Sequence, residues 1–219
     1  MRQFGAIVKL GDSKVTDKDA AKWGYEAGPN DAMKKEIGQV VVNHALCDSP
    51  LLDIFQILSG TSVSVTFALV RTLNIKAGAM IMAIKALAQI REPEINPAIQ
   101  KRLSMALSEH DKLSRLRNEI AHWQWHLSLE GVDAAHASND WRRNPDNSQV
   151  IKRFTLEDLK NASLGLINVY AALNLLSATL QSTVDGEKLT RIFVDFDEVL
   201  KRVQDAVLDL PEPSAEELP

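Results

Sequence analysis

The chain has 219 residues, of which 45% are hydrophobic and 25% charged, which suffices for one domain with a substantial apolar core. A formal net charge of −4 argues against a general nucleic-acid coat protein, although it allows a local basic cleft. Cys47 is the only cysteine, which excludes an intramolecular disulfide and a thiolate cluster around a metal.

The first two thirds of the chain predict a helical bundle. Residues 1–29 contain scattered glycines and no sustained periodicity, which indicates an irregular N-terminal arm, and their short apolar run is not typical of a secretory signal. Apolar residues then recur at helical spacing. The predicted helices cover about 30–45, a segment starting at Pro50, Val63–Leu73, Ile75–Ile90 and about 98–120, with a stop and a new start at Ser59-Gly60-Thr61-Ser62.

The periodicity changes after this last helix. Residues 123–129 alternate apolar and polar side chains, and Gln149–Thr155 resembles a returning strand, so we expect a small β-hairpin or loop insert. Thr155 is a predicted N-cap of a long helix that includes the uncharged stretch Asn161–Val184. That stretch is long enough to span a bilayer, but polar residues are spread along it, and we interpret it as a core helix. We therefore expect an all-α bundle over 30–184, a C-terminal helix over 185–208 and an acidic disordered tail over 209–219.

One short segment carries residues suited to chemistry. Arg117-Asn118-Glu119-Ile120-Ala121-His122 lies at the end of the helix predicted over about 98–120. Histidine can transfer protons near pH 7, and arginine offers a planar set of donors that fits a phosphate. On an unbroken helix, Arg117 and His122 are separated by about 140°, whereas Asn118 and His122 share a face, so Asn118 is a candidate for orienting the imidazole.

This motif and its helical context resemble the HEPN superfamily (higher eukaryotes and prokaryotes nucleotide-binding). The resemblance covers about 30–184 and implies a helical bundle whose Arg117, Asn118 and His122 act in RNA cleavage without a metal or cofactor. It also implies a two-fold homodimer that assembles the site, and a bacterial toxin or anti-phage effector with a cognate antitoxin or nucleotidyltransferase partner. Helix termination near Ala121 is the other way in which Arg117 would reach the site.

Less specific interpretations remain open for each residue. The motif is also compatible with an arginine and a histidine that stabilise the negative end of a helix dipole. His122 and His126 have the spacing of a zinc-binding pair, but no third ligand is evident. Trp123 and Trp125 suit either base stacking or packing of the hairpin. Candidate RNA contacts are Arg115, Trp123, Arg142 and Arg143, while His44, His110 and His136 receive no role.

Two functions follow as hypotheses. The first is a cytoplasmic, metal-independent endoribonuclease that acts as a dimer on RNA and has no membrane partner. The second is a non-catalytic helical module that binds a nucleotide, RNA or a partner protein. Exposure of Arg117, Asn118 and His122 in an open cleft would favour the enzyme, and burial beneath Asn161–Val184 would favour the module.

Overall fold

A computed structural model describes residues 28–126, 134–139, 150–181 and 186–208. Most of the predicted N-terminal arm, the acidic tail, and the predicted RNA contacts Arg142 and Arg143 lie outside these residues. Within them the chain is mostly helical, as its periodicity predicts. The helices are α1 (Asp31–Leu46), α2 (Asp48–Ser59), α3 (Val63–Thr72), α4 (Ala77–Ile90), α5 (Pro97–His122), α6 (Leu156–Leu180) and α7 (Gly186–Leu208).

Local capping sets several of the helix boundaries. The Asn30 side chain accepts a hydrogen bond from the Met33 amide at 2.9 Å and so begins α1. Gly60 has a φ of 68°, the left-handed conformation that ends α2, and Ser62 caps α3 two residues later. At α6, Thr155 and Asp158 form a reciprocal capping box. These caps lie where the sequence predicts them, whereas α2 begins at Asp48, two residues before the predicted start at Pro50.

The insert between α5 and α6 is larger than the expected hairpin. It contains β1 (Gln124–His126), β2 (Ala134–Asn139) and β3 (Val150–Thr155), which form an antiparallel sheet in the order β1-β2-β3. The hairpin prediction is therefore wrong in its pairing, because each outer strand pairs with β2. The part of the predicted first strand over 127–129 lies outside the described residues.

Helix α6 lies at the centre of the bundle and packs against α1, α2 and α5. Leu159, Leu166 and Leu173 are fully buried along one of its sides. By length and composition α6 is the one single helix in the described residues apolar enough to cross a membrane, and a third of its most apolar window is buried. These contacts are those of a core helix, as interpreted from the polar residues spread along it.

Helix α7 contacts α5 and α6 of the bundle. Phe193 is buried against the core, and the Arg102 guanidinium lies 5.2 Å from its ring centre. Arg102 also forms an ion pair with Asp197. A cavity of about 450 Å³ lies between α5, α6 and α7 beside this contact.

Candidate functional site

The end of α5 presents the motif. The helix continues without a break to His122, and Trp123 leaves it in an extended conformation while its amide still donates to the Glu119 carbonyl. Trp125 then anchors β1, since its indole Nε1 donates to the Ile120 carbonyl at 2.9 Å and its ring lies 5.3 Å from that of Phe154. The motif is thereby held at a junction between a helix and a sheet.

The three motif side chains meet within one chain. The Arg117 Nη1 donates to Asn118 Oδ1 at 3.1 Å and lies 3.5 Å from His122 Nε2. The expectation that helix geometry separates Arg117 from His122 is wrong, because the arginine side chain is long enough to reach around the helix. The predicted end of the helix near Ala121 is confirmed to within one residue, since α5 ends at His122 and Trp123 is extended. Asn118 contacts the guanidinium of Arg117, and the guanidinium lies beside His122. This differs from the prediction that Asn118 orients the imidazole directly.

Exposure differs among the three residues. Asn118 and His122 are exposed, whereas Arg117 is half-buried. Its Nε is buried and has no hydrogen-bond partner among the described residues. The inner part of the Arg117 side chain is therefore buried, while its Nη1 lies beside the exposed imidazole. In such an arrangement the guanidinium can bind an anion, and the solvent-accessible imidazole can exchange protons with it.

Asn118 and His122 border an open groove, which we call the motif groove, while Arg117 lies beside His122 and is not one of the residues that line it. The motif groove has a volume of about 650 Å³. One wall belongs to α5 and the other to the sheet, a combination that brings together residues distant in sequence. The lining residues are Arg115, Asn118, Glu119, His122, Trp123, Asn139 and Val150.

An ion pair connects the two walls of the motif groove. The Lys152 Nζ lies 2.6 and 2.7 Å from the two carboxylate oxygens of Glu119. The same ammonium lies 5.3 Å from the centre of the Trp123 ring. This contact holds β3 against α5 and covers part of the indole. Trp123 is thus both a packing residue and a wall of the groove, so its two sequence-based interpretations are compatible.

The other candidate RNA contacts differ in their surroundings. Arg115 lines the groove and forms an exposed ion pair with Asp111 at 2.5 Å. Trp125 packs on the core as described above, which supports the packing interpretation for that residue. His126 hydrogen-bonds Ser138 across the sheet through Nε2 at 2.6 Å. No group of three metal-ligating side chains occurs in the part of the chain that the structure describes.

A second polar cluster, missed by the sequence reasoning, lies on the inner side of α5. Ser114 Oγ is 2.9 Å from His44 Nε2 and 3.2 Å from His110 Nδ1. Burial lowers the pKa of His110 to about 4, helped by the neighbouring His44. Burial also lowers the pKa of His44, and the positive charge of Arg117 lowers it further. The cluster is therefore uncharged at neutral pH and borders the half-buried part of Arg117.

Cys47 is not part of either polar cluster. It is buried between α1 and α2, near the Leu166 carbonyl of α6. Burial raises the pKa of its thiol to about 12, so the group is a thiol at neutral pH and packs as a small apolar side chain.

Comparison of the chain with protein-family models, with curated proteins and with solved structures finds no match.

Proposed function

We propose that the protein is a metal-independent endoribonuclease of the HEPN type, with its reactive groups at the motif groove. The observation that carries the proposal is the 3.5 Å separation between the Arg117 guanidinium and the His122 imidazole. Both groups lie at the end of α5, and His122 and Asn118 are exposed in the groove. Exposure of Asn118 and His122 in an open cleft favours the enzyme over the non-catalytic module, with Arg117 half-buried beside them.

The reaction uses groups that RNA itself supplies. His122 accepts the proton of a ribose 2′-hydroxyl, whose oxygen then bonds to the adjacent phosphorus. The bond from phosphorus to the 5′-oxygen breaks, and the imidazolium returns a proton to that leaving oxygen. The products are a cyclic 2′,3′-phosphate and a free 5′-hydroxyl. Arg117 stabilises the charge that develops on the non-bridging oxygens.

The side chains around the motif groove suggest how a strand of RNA would be bound. Asn118 accepts a hydrogen bond from Nη1 of the guanidinium and itself lines the groove, so it connects Arg117 to the place where a phosphate would bind. Arg115 adds a second positive charge at the rim. The exposed part of Trp123 provides a surface for one base, beside Lys152. These contacts together suit a single-stranded segment of RNA better than a duplex.

The test compares wild type and His122→Ala on total cellular RNA with EDTA present. We expect the variant to lose about 10²–10⁴-fold in rate, the usual contribution of a general acid–base group. Gln124→Ala, an exposed change two residues away, is the matched control and should cleave as wild type does. An oligonucleotide with a 2′-deoxyribose at the cleaved position should be inert. Equal cleavage by wild type and His122→Ala would assign the protein to the non-catalytic module.

The resemblance of the motif to the HEPN superfamily also suggests a physiological role. A toxin or anti-phage effector of this type would slow growth when its expression is induced, and His122→Ala would not. A cognate antitoxin or nucleotidyltransferase would relieve the growth defect when it is co-expressed. Growth arrest of equal depth with both chains would contradict this extension.

A further inference from the structure

Helices α3 and α4 expose an unusual amount of apolar surface. Half of the large hydrophobic side chains that are exposed in the described residues lie on these two helices or at their ends. The exposed fractions reach 56% for Phe67, 64% for Leu73, 70% for Met82 and 75% for Ile90. Exposed apolar side chains concentrated on one segment of the chain are candidates for an interaction surface. We call it the α3–α4 surface, made of Val63, Val65, Phe67, Leu69, Leu73, Met82 and Ile90.

The fold of the single chain does not account for this surface. Helix α3 is largely apolar, yet Thr66 is its only buried residue and Val70 alone among its large apolar side chains is half-buried. A helix that is apolar on most sides needs an apolar environment on those sides. In α4, Met80, Ile81, Ile84 and Ala88 face the core, while the opposite side carries Met82 and Ile90.

The charge of this region is distinct from that of the whole chain. Residues 54–91 contain four basic residues and no acidic residue. Since this segment carries +4 and the chain carries −4, the remaining residues carry −8. Arg71, Lys76 and Lys85 are exposed, and Arg91 binds Glu94 and the carbonyls at the end of α2. The apolar surface is therefore bordered only by positive charge along its own helices.

We infer that the α3–α4 surface binds the face of an anionic lipid bilayer. Exposed apolar side chains enter the boundary between headgroups and acyl chains, and nearby Lys and Arg side chains meet the lipid phosphates. A second copy of this chain fits less well, because residues 54–91 would bring basic and no acidic side chains to both sides of such a contact. Polar side chains that would read bases are sparse on α3, which disfavours nucleic acid.

This binding is peripheral and involves no membrane span. It replaces the sequence-based expectation that the protein has no membrane partner. Within the described residues the α3–α4 surface shares no side chain with the motif groove, so the two proposals stand or fall separately. A chain held in this way would meet RNA next to the bilayer, with the motif groove contributed by other elements.

The test is flotation of the full chain with lipid vesicles. We expect binding to vesicles of equal parts phosphatidylglycerol and phosphatidylcholine at least tenfold stronger than to phosphatidylcholine alone. Salt at about 0.5 M should weaken the binding, since it screens the basic residues. Phe67→Ser with Met82→Ser should lower binding at least tenfold, and Lys76→Glu with Lys85→Glu should remove the preference for anionic lipid.

A matched control separates this surface from general hydrophobicity. Val42→Ser with Val199→Ser changes two side chains of similar exposure on α1 and α7, and should leave vesicle binding unchanged. All variants should keep the wild-type circular dichroism, since the altered side chains are exposed, and the Phe67 and Met82 variant should cleave RNA as wild type does. Absence of wild-type binding, or equal binding by that variant, would overturn the inference. A dimer that the same variant dissociates, without vesicle binding, would assign the surface to a second copy.

Discussion

Arg117 shows how side-chain length changes a conclusion drawn from helix geometry. Its Cα is on a different face of α5 from that of His122, yet Nη1 reaches within 3.5 Å of the imidazole. A rotation of about 140° separates the Cα positions, but not the ends of long side chains. The two groups thus meet without a helix break and without a second subunit. The Nη1 contacts with Asn118 and His122 define the direction in which the side chain runs.

This arrangement predicts a large effect for Arg117→Lys. An ammonium is a point charge and cannot contact Asn118 and a phosphate with a fixed planar set of donors. We expect a loss of about 10²-fold or more in the rate of RNA cleavage, with little change in the free energy of unfolding. Arg115→Lys, at the exposed rim, is the control and should lose less than about tenfold. Single-turnover cleavage of a short RNA measures both, and equal rates for the two variants would contradict the role of Arg117.

His110 predicts a pH dependence of stability. Burial lowers its pKa to about 4 from the ordinary value of 6.5. The folded protein therefore favours the neutral imidazole, and stability is complete above pH 6.5 and falls as the pH decreases towards 4. We expect the free energy of unfolding to drop by about 1–2 kcal/mol between pH 7 and pH 5 from this residue. Urea denaturation at both values measures it, and His110→Gln should show a drop smaller by that amount.

At the scale of elements, capping residues predicted the ends of helices well. Asn30, Gly60, Ser62 and Thr155 act where the sequence places them, because these signals are local. Strand β2 was missed because Ala134–Asn139 contains three alanines and no β-branched residue. Pairing with strands on both sides holds it in an extended conformation, with Ala135, Ala137 and Ser138 buried. Such pairing depends on tertiary contacts that a local pattern does not contain.

The junction between α5 and the sheet predicts a coupling between stability and activity. Trp125 both hydrogen-bonds the Ile120 carbonyl and packs against Phe154. Trp125→Phe removes the hydrogen bond and should cost about 1 kcal/mol of unfolding free energy. Trp125→Ala also removes the ring and should cost about 2–4 kcal/mol. We expect only the alanine variant to lose RNA cleavage at a temperature where it is still folded, because β1 would detach from the end of α5. If Trp125→Phe and Trp125→Ala lost the same amount of unfolding free energy and of cleavage rate, this coupling would be contradicted.

At the scale of the whole molecule, the candidate site combines local and distant parts. The motif itself was evident from the sequence, because its residues are adjacent and lie on one helix. Glu119 with Lys152, and His44 with Ser114, are pairs separated by 33 and 70 residues. Their meeting depends on how the sheet and α1 pack on α5, which no spacing rule predicts. Arg142 and Arg143 lie outside the described residues, so their predicted role in RNA binding stays a prediction.

The position of the motif also predicts how the whole molecule assembles. We expect a two-fold homodimer in which two Arg117–His122 segments face one cleft, with each chain keeping its own pair of reactive groups. The contact between Arg117 and His122 within a single chain is the reason for expecting that each site acts independently. Sedimentation velocity at micromolar concentration should give the mass of a dimer.

Co-expression of differently tagged chains then tests independence. A dimer with one wild-type chain and one Arg117→Ala, His122→Ala chain should keep about half of the activity, because one complete pair remains. The matched control is a dimer of wild type with a Gln124→Ala chain, which should keep all of it. An inactive mixed dimer would mean that both motifs act in one shared reaction centre. A strictly monomeric wild-type protein that cleaves RNA would remove the dimer from the mechanism altogether.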